Sequence, residues 1–329
     1  MFFTWDDVVR FVGEFALLEK SCCVSDELRG WNWSDPPILC VSSFRISVSD
    51  VVSICDSGRD IFLKYILNVR GKVGRSIVRG FIIHFAFREL VYSIKRSIYN
   101  HAVKSGFELL EYLKSEGKKI FFKIFDEFDL SNIDSDEVEC LFWEVWKQGS
   151  TIYSGCLDKY FKDREFKYLD SIVRMVVPID VEVMLDGSKI GLTNVRVDAI
   201  LYPDIPIEIK VGEGIKPELA LAGYALVMES IFRKPINFGI VVNVDIKNDL
   251  TISWKYRIVH IDDNLRLEFI NERDRRLEIL ENKIDPGISS RCISSCPFYE
   301  YCHGKKVKIE KKAQERPSKK LKIRVLDRD

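Results

Sequence analysis

The hydrophobic period of the chain changes part-way along. From Asp6 to Lys20, and again from Arg75 to about Lys104, apolar residues recur at three- and four-residue steps, which predicts amphipathic helices; the same period continues through residues 105–170. Trp31, Trp33 and Pro36-Pro37 mark an irregular connection between them. The stretch from Ser47, SVSDVVSICDSGRDIFLKYIL, predicts two short helices, one capped by Ser49 and carrying Cys55, the other capped by Ser57. Near Ile172 the pattern turns to alternation, with Glu182 on a strand that ends at an Asp186-Gly187 hairpin turn. Two further strands, Val195 to Leu201 and Pro206 to Val211, flank Tyr202-Pro203-Asp204. A helix from Pro217 to Arg233 carries Tyr224, strands follow at Ile236 to Val244 and Leu250 to Ile261, and a last helix spans Asp263 to Lys283. Strands interleaved with helices in this order predict an α/β protein whose mixed sheet is flanked by helices.

The hairpin around Pro203 brings chemistry into this pattern. A turn centred on position 203 sets Asp198 opposite Glu208, and opposed residues of an antiparallel pair project from one face. Lys210 shares that face, while Ile207, Ile209 and Val211 point into a core. Two carboxylates and one ammonium at a sheet surface suit a magnesium or manganese ion and an attacking water, in outline a phosphodiesterase site. Such acids also populate ordinary solvated faces. The triplet acid-x-Lys occurs six times, ending at Lys118, Lys167, Lys210, Lys247, Lys283 and Lys312. Only Glu208 has an upstream acid placed by a hairpin.

Lys+Arg and Asp+Glu are 50 each in 329 residues, so any nucleic-acid contact is local and not a property of the whole surface. Apolar runs are short, and Asp6, Asp7 and Glu14 stand where a signal peptide would be basic and then apolar, which predicts no membrane span and a cytoplasmic protein. Asp126, Glu127, Asp129, Asp134, Asp136, Glu137 and Glu139 read as one solvated acidic face. The tail from Lys305 to Asp329 carries eleven Lys/Arg against four Asp/Glu, a solubilising tail or an attractor of phosphate. Nine cysteines without a secretion signal point to reduced thiols. Three of them, Cys292, Cys296 and Cys302, fall within CISSCPFYEYC and read as metal ligands. Their fourth partner is either His303, giving a zinc site, or a distant cysteine, giving an iron-sulfur cluster screened by Phe298, Tyr299 and Tyr301. Cys40, Cys140 and Cys156 read as buried thiols. His84, alone on an apolar helix, reads as a core histidine.

Taken together, SVSDVVSIC, RGFIIH, VEVMLDG, VRVDAI, IEIKVGE, ALAGYALVMES and the three-cysteine segment resemble the RecB-like nucleases that carry an iron-sulfur cluster. The resemblance is closest to the CRISPR-associated exonucleases of the Cas-four type, in their archaeal Csa-one variant, and covers about half of the chain. It implies a restriction-endonuclease-like, PD-(D/E)xK, mixed sheet with a helical N-terminal part and a C-terminal cluster segment. The corresponding divisions are an N-terminal extension (1–46), a helical region with the first cluster cysteine and the histidine (47–170), the core sheet (171–262), a C-terminal helix and cysteine segment (263–304) and a basic tail (305–329); residues 1–46, 105–170 and the tail lie outside the resemblance. By position, it makes His84, Asp198, Glu208 and the Ile209 carbonyl ligands of Mn2+ or Mg2+, with Lys210 acting on the water and Tyr224 positioning substrate. It makes Cys55, Cys292, Cys296 and Cys302 the ligands of a [4Fe-4S] cluster, with Cys22 or Cys23 as substitutes for Cys55. It implies an exonuclease for single-stranded DNA or frayed ends that works with CRISPR integration proteins in antiviral defence and spacer acquisition. Ala220 replaces the glutamine usual one turn before the tyrosine, which supports a second reading as a noncatalytic DNA-binding adaptor.

Overall fold

The computed structural model describes residues 1–18, 23–101, 103–163, 168–212 and 216–304. Cys22, the acid-x-Lys triplets ending at Lys167 and Lys312, and the basic tail lie outside the described residues. The first helix, α1 (Trp5–Leu18), is followed by an irregular stretch and two short helices, α2 (Val48–Val51) and α3 (Arg59–Ile61). Three long helices come next: α4 (Arg75–His101), α5 (Gly106–Glu127) and α6 (Ser135–Asp163). Then come α7 (Leu169–Val176), strands β1 (Ile179–Leu185), β2 (Val195–Leu201) and β3 (Ile205–Val211), helix α8 (Pro217–Phe232), strands β4 (Phe238–Ile246) and β5 (Ile252–His260), and helices α9 (Asp263–Asn282) and α10 (Tyr299–His303).

The five strands form one open sheet in chain order. All neighbours are antiparallel except β3 and β4, which run parallel because α8 carries the chain back across the sheet. Helices cover both faces. On one side Val78, Ile82, Leu90, Phe142 and Val145 pack against Ile207, Ile209, Ile240 and Val242; on the other Leu221, Ala225, Phe269 and Leu277 pack against Val197, Val241 and Val259. Helix α8 is buried nearly all round between the sheet and α9. Close approach requires small residues there: a Cβ on Gly223 would meet the Phe269 ring at 2.6 Å.

Both N-terminal aromatic residues, Phe2 and Phe3, lie in the first core, and Ile46 bridges to Leu192 beside the sheet. Among the described residues no helix is long and apolar enough to cross a membrane.

Several local expectations are corrected. Residues 172–176 are helical, because Leu169, Ile172, Val173 and Val176 fall at i, i+3, i+4 and i+7 and put their apolar groups on one stripe. Ser47, not Ser49, caps α2: its hydroxyl accepts from the Asp50 amide while the Asp50 carboxylate takes the Ser47 amide, a reciprocal pair that fixes the helix start two residues earlier. Cys55 therefore lies in the following loop, and Gly58 at φ 75°, not Ser57, precedes α3. The β1–β2 connection is no two-residue turn but contains a helical turn, Ser188–Ile190. Glu137 leaves the acidic surface to sit buried against Arg75 and Arg79, while the other named acids of that stretch are exposed. Cys140 is exposed, whereas Cys40 and Cys156 are half-buried.

Candidate active site

The register of β2 against β3 pairs Ala199 with Ile207, Ile200 with Pro206 and Leu201 with Ile205. These pairs share a centre at Pro203, and the next pair in the series is Asp198 with Glu208. The ladder ends before that pair, so Ile209, paired in register with Val242 of β4, has no partner in β2. Asp198 takes the free amide: the Ile209 N–H donates to its Oδ2 at 2.9 Å. His84 takes the free carbonyl, its Nε2 lying 3.2 Å from the Ile209 oxygen, while its Nδ1 stands 3.8 Å from Asp198 Oδ1. The histidine thus reaches the hairpin from α4, 125 residues earlier in the chain.

Glu208 points to the α8 side and is buried, 8% exposed. Burial first, then the nearby Asp198 charge, pushes its carboxyl up to about 8, against opposing pulls from Lys210 and from the Tyr224 hydroxyl. That hydroxyl donates to Glu208 Oε2 at 2.8 Å, and burial beside this carboxylate raises the phenol well above its ordinary value. Tyr224 itself is 5% exposed and touches the site through Glu208. Ala220 is buried in the α8 core, so no polar group enters from that position.

The folded-state pKa of Glu208 lies above its ordinary 4.5, so between 4.5 and about 8 the folded protein holds a proton that the unfolded chain has released. Its contribution to stability is therefore complete below 4.5 and is lost as pH rises through about 8. Melting of the chelator-treated protein is expected at progressively lower temperature from about pH 5 to about pH 9, and Mn2+ should flatten this slope by favouring the charged carboxylate. Thermal scans with and without the ion measure both.

These groups line a cleft of about 450 Å³. Its chemistry extends past the acids and the lysine. Arg88, one turn after His84, donates to Glu182 at 3.2 Å and to Glu127 at 3.1 Å; Arg196, two residues before Asp198, stands 3.8 Å from Glu182. Phe81, Phe85 and Phe128 line the same cleft. The two arginines were missed from sequence, although each follows from the helical or strand period once His84 or Asp198 is fixed.

Glu182 occupies the β1 position opposite Asp198, between the pairs Val181–Ala199 and Val183–Val197, and has φ 48°. Ile179, Val181, Ala199 and Leu201 belong to the core under α4, whereas Val183, Leu185, Val195 and Val197 belong to the core under α8. The β1–β2 ribbon therefore turns over at the Glu182/Asp198 pair, where the left-handed backbone breaks the alternation.

The donor set fits a hard divalent cation. Two carboxylates, an imidazole and a carbonyl oxygen are ligand types such an ion takes, and it would relieve the repulsion that keeps Glu208 protonated beside Asp198. Among the described residues no three His, Cys, Asp or Glu side chains close up around a common ion as they stand.

Outside the cleft, the loop carrying Cys55 meets the C-terminal segment, where the Ser57 hydroxyl donates to the Gly287 carbonyl. Burial raises the Cys296 thiol, with further contributions from Cys55 and Cys292; burial also raises Cys302, where Arg59 pulls the other way and Cys292 and Cys55 add to the rise. Cys55 and Cys292 are thus within electrostatic reach of Cys296 and Cys302, although among the described residues no three of these groups close around a common ion as they stand. The loop is fixed by Arg276, whose guanidinium donates to the Ser53 and Cys55 carbonyls at 3.3 Å, and by the Arg59–Asp285 pair at 2.9 Å. Cys23 is exposed, and no disulfide links the described cysteines. His303 lies tilted against the Tyr299 ring, centroids 4.4 Å apart at 30°.

Comparison with known proteins adds a second line. A family model described as CRISPR-associated exonuclease Csa1 matches residues 1–306. The protein of that name from Saccharolobus solfataricus is 37% identical over 307 residues, 92% of this chain and 100% of the relative. Its namesake from Thermoproteus tenax is 23% identical over 299 residues, 90% of this chain and 98% of the relative. The match extends over residues 1–46 and 105–170, which the motifs alone had left outside the resemblance.

Proposed function

The chain belongs to the family of CRISPR-associated exonuclease Csa1, and from that premise we propose that it hydrolyses phosphodiester bonds of single-stranded DNA or frayed DNA ends, using Mn2+ or Mg2+ held by His84, Asp198, Glu208 and the Ile209 carbonyl. The observation that carries this reading is the parting of β2 and β3 at Asp198, which gathers two carboxylates, an imidazole and a freed carbonyl at one mouth of the cleft. The same hairpin, parallel crossover and flanking helices support a restriction-endonuclease-like sheet. When bound, the cation supplies Lewis-acid charge for the phosphate oxygens and acidifies water. Asp198 and Glu208 hold the negative charge that recruits it, and Tyr224 fixes the Glu208 carboxyl in place. Lys210, on the Glu208 face, orients the attacking water. Arg196, whose side chain is 60% exposed, presents its guanidinium to neighbouring phosphates, while Arg88 is held by Glu89, Glu127 and Glu182 and braces the wall of the cleft. In the cell the products would pass to the proteins that integrate DNA into a CRISPR array.

The reading as a noncatalytic adaptor rests on Ala220. Cleavage of a labelled single strand that requires Mn2+ and stops with chelator separates the two, since an adaptor binds without cutting.

For the second centre, Cys55, Cys292, Cys296 and Cys302 would hold a [4Fe-4S] cluster. Its role is structural: it ties the loop before α3 to the C-terminal segment and so restricts the unfolded chain. Anaerobically purified protein is expected to be brown. Cys55→Ser should lose colour and iron and melt at lower temperature; colourless zinc-loaded protein would replace this centre with one using His303.

A further inference from the structure

On the reading that the substrate is single-stranded DNA, we infer that the cleft contains a stacking subsite for one unpaired nucleobase, formed by Phe81 and backed by Phe128. Phe81, His84, Phe85 and Arg88 fall at i, i+3, i+4 and i+7 of α4 and line the cleft together, so an aromatic face, the metal-ligand candidate and a cation follow one another over about 10 Å of helix. Most of that helix's apolar residues are buried, yet Phe81 is 39% exposed. It is not loosely held. Its ring stacks on Phe128 at 5.5 Å and 16°, and Phe128 is braced edge-on by Phe85 at 5.8 Å and 88°. Phe128 comes from the end of α5, which is tied to α4 by the adjacent Glu127 bonding Arg88. The α5 segment thus supplies one wall of the cleft. A rigid aromatic shelf beside arginines and a phosphate-hydrolysing centre suits a base with an open π-face and a charged backbone; bases inside a duplex are already stacked on both sides and offer no such face.

Binding tests this without relying on cleavage. In chelator, a single-stranded oligonucleotide with 2-aminopurine at its terminal positions should be quenched by the protein. A copy with abasic terminal positions should bind about five- to a hundredfold more weakly. Phe81→Leu, which keeps the packing on Phe128, should lose affinity for the intact strand by the same factor and no longer distinguish it from the abasic one. Phe81→Trp should retain the distinction, and Phe128→Ala should weaken it. Parental affinity in Phe81→Leu, or a loss that preserves the intact-over-abasic preference, overturns the subsite. Base-dependent binding without Mn2+-dependent cleavage would refute the hydrolytic reading and leave the subsite standing; cleavage with binding indifferent to Phe81 would do the reverse.

Discussion

Glu208→Ala protein, assayed in Mn2+ on single-stranded DNA, is expected to cleave at least about a thousandfold more slowly than the parent, a barrier increase of about 4 kcal/mol. On the proposed reading Asp198 and Glu208 are the two anionic ligands, and a site left with one carboxylate, an imidazole and a carbonyl would hold the ion weakly. The protein should nevertheless fold nearly as well. Glu208 is buried, and its carboxyl resists ionisation because of that burial and of Asp198, so near neutral pH in the absence of an ion the substitution removes a neutral group and leaves no unpaired charge behind. The cost is a lost partner for the Tyr224 hydroxyl, on the order of 1 kcal/mol. Loss of cleavage with a melting temperature within a few degrees of the parent's is therefore the diagnostic combination. Parental cleavage rates in this variant would remove the assignment of the site.

The second large effect is on stability. Glu229, at the other end of α8, is 0% exposed, as buried as any residue in the protein. Its carboxylate accepts from Arg29 at 2.8 Å, from both terminal nitrogens of Arg266 at 2.8 and 2.9 Å, and from the amides of Gly30 and Ile236 at 2.8 and 2.9 Å. Glu229→Ala leaves the fully buried Arg266 without its counter-charge, and removing one partner of such a pair costs about 3–5 kcal/mol. A fall in melting temperature on the order of 10 °C is expected. Calorimetry or chemical denaturation reads it directly; a shift within about 2 °C would show that Arg266 finds other acceptors. Two buried acids, one on β3 and one on α8, thus divide by their partners. Glu229 is neutralised by arginines and amides and holds the fold, while Glu208 faces another acid and, on the proposed reading, is left for a cation.

Much of the site was legible in the sequence because it is local. The turn at Pro203 fixes the register of Asp198 against Glu208, and the period of two puts Lys210 on the same face. Long helices read correctly to within a few residues for the same reason. What was hidden depends on contacts across the chain. Arg88 meets Glu182 94 residues away, Glu137 meets Arg75 62 residues away, and neither pairing leaves a trace in periodicity. The helix at Leu169–Val176 was read as strand because its four apolar positions begin a run that continues, past Pro178, into true alternation. The use of residues 105–170 as a wall of the cleft was equally invisible, since Phe128 gains its neighbours only when α5 folds back on α4.

The reversal of the β1–β2 ribbon at Glu182 bears on how the molecule could be dissected. Each of these two strands contributes its first half to one core and its second half to the other. Neither layer owns the hairpin. A minimal fragment trimmed to the strands and one set of helices would leave half of each strand greasy and uncovered, so both helical layers must be kept in any autonomously folding truncation, and the two should melt together.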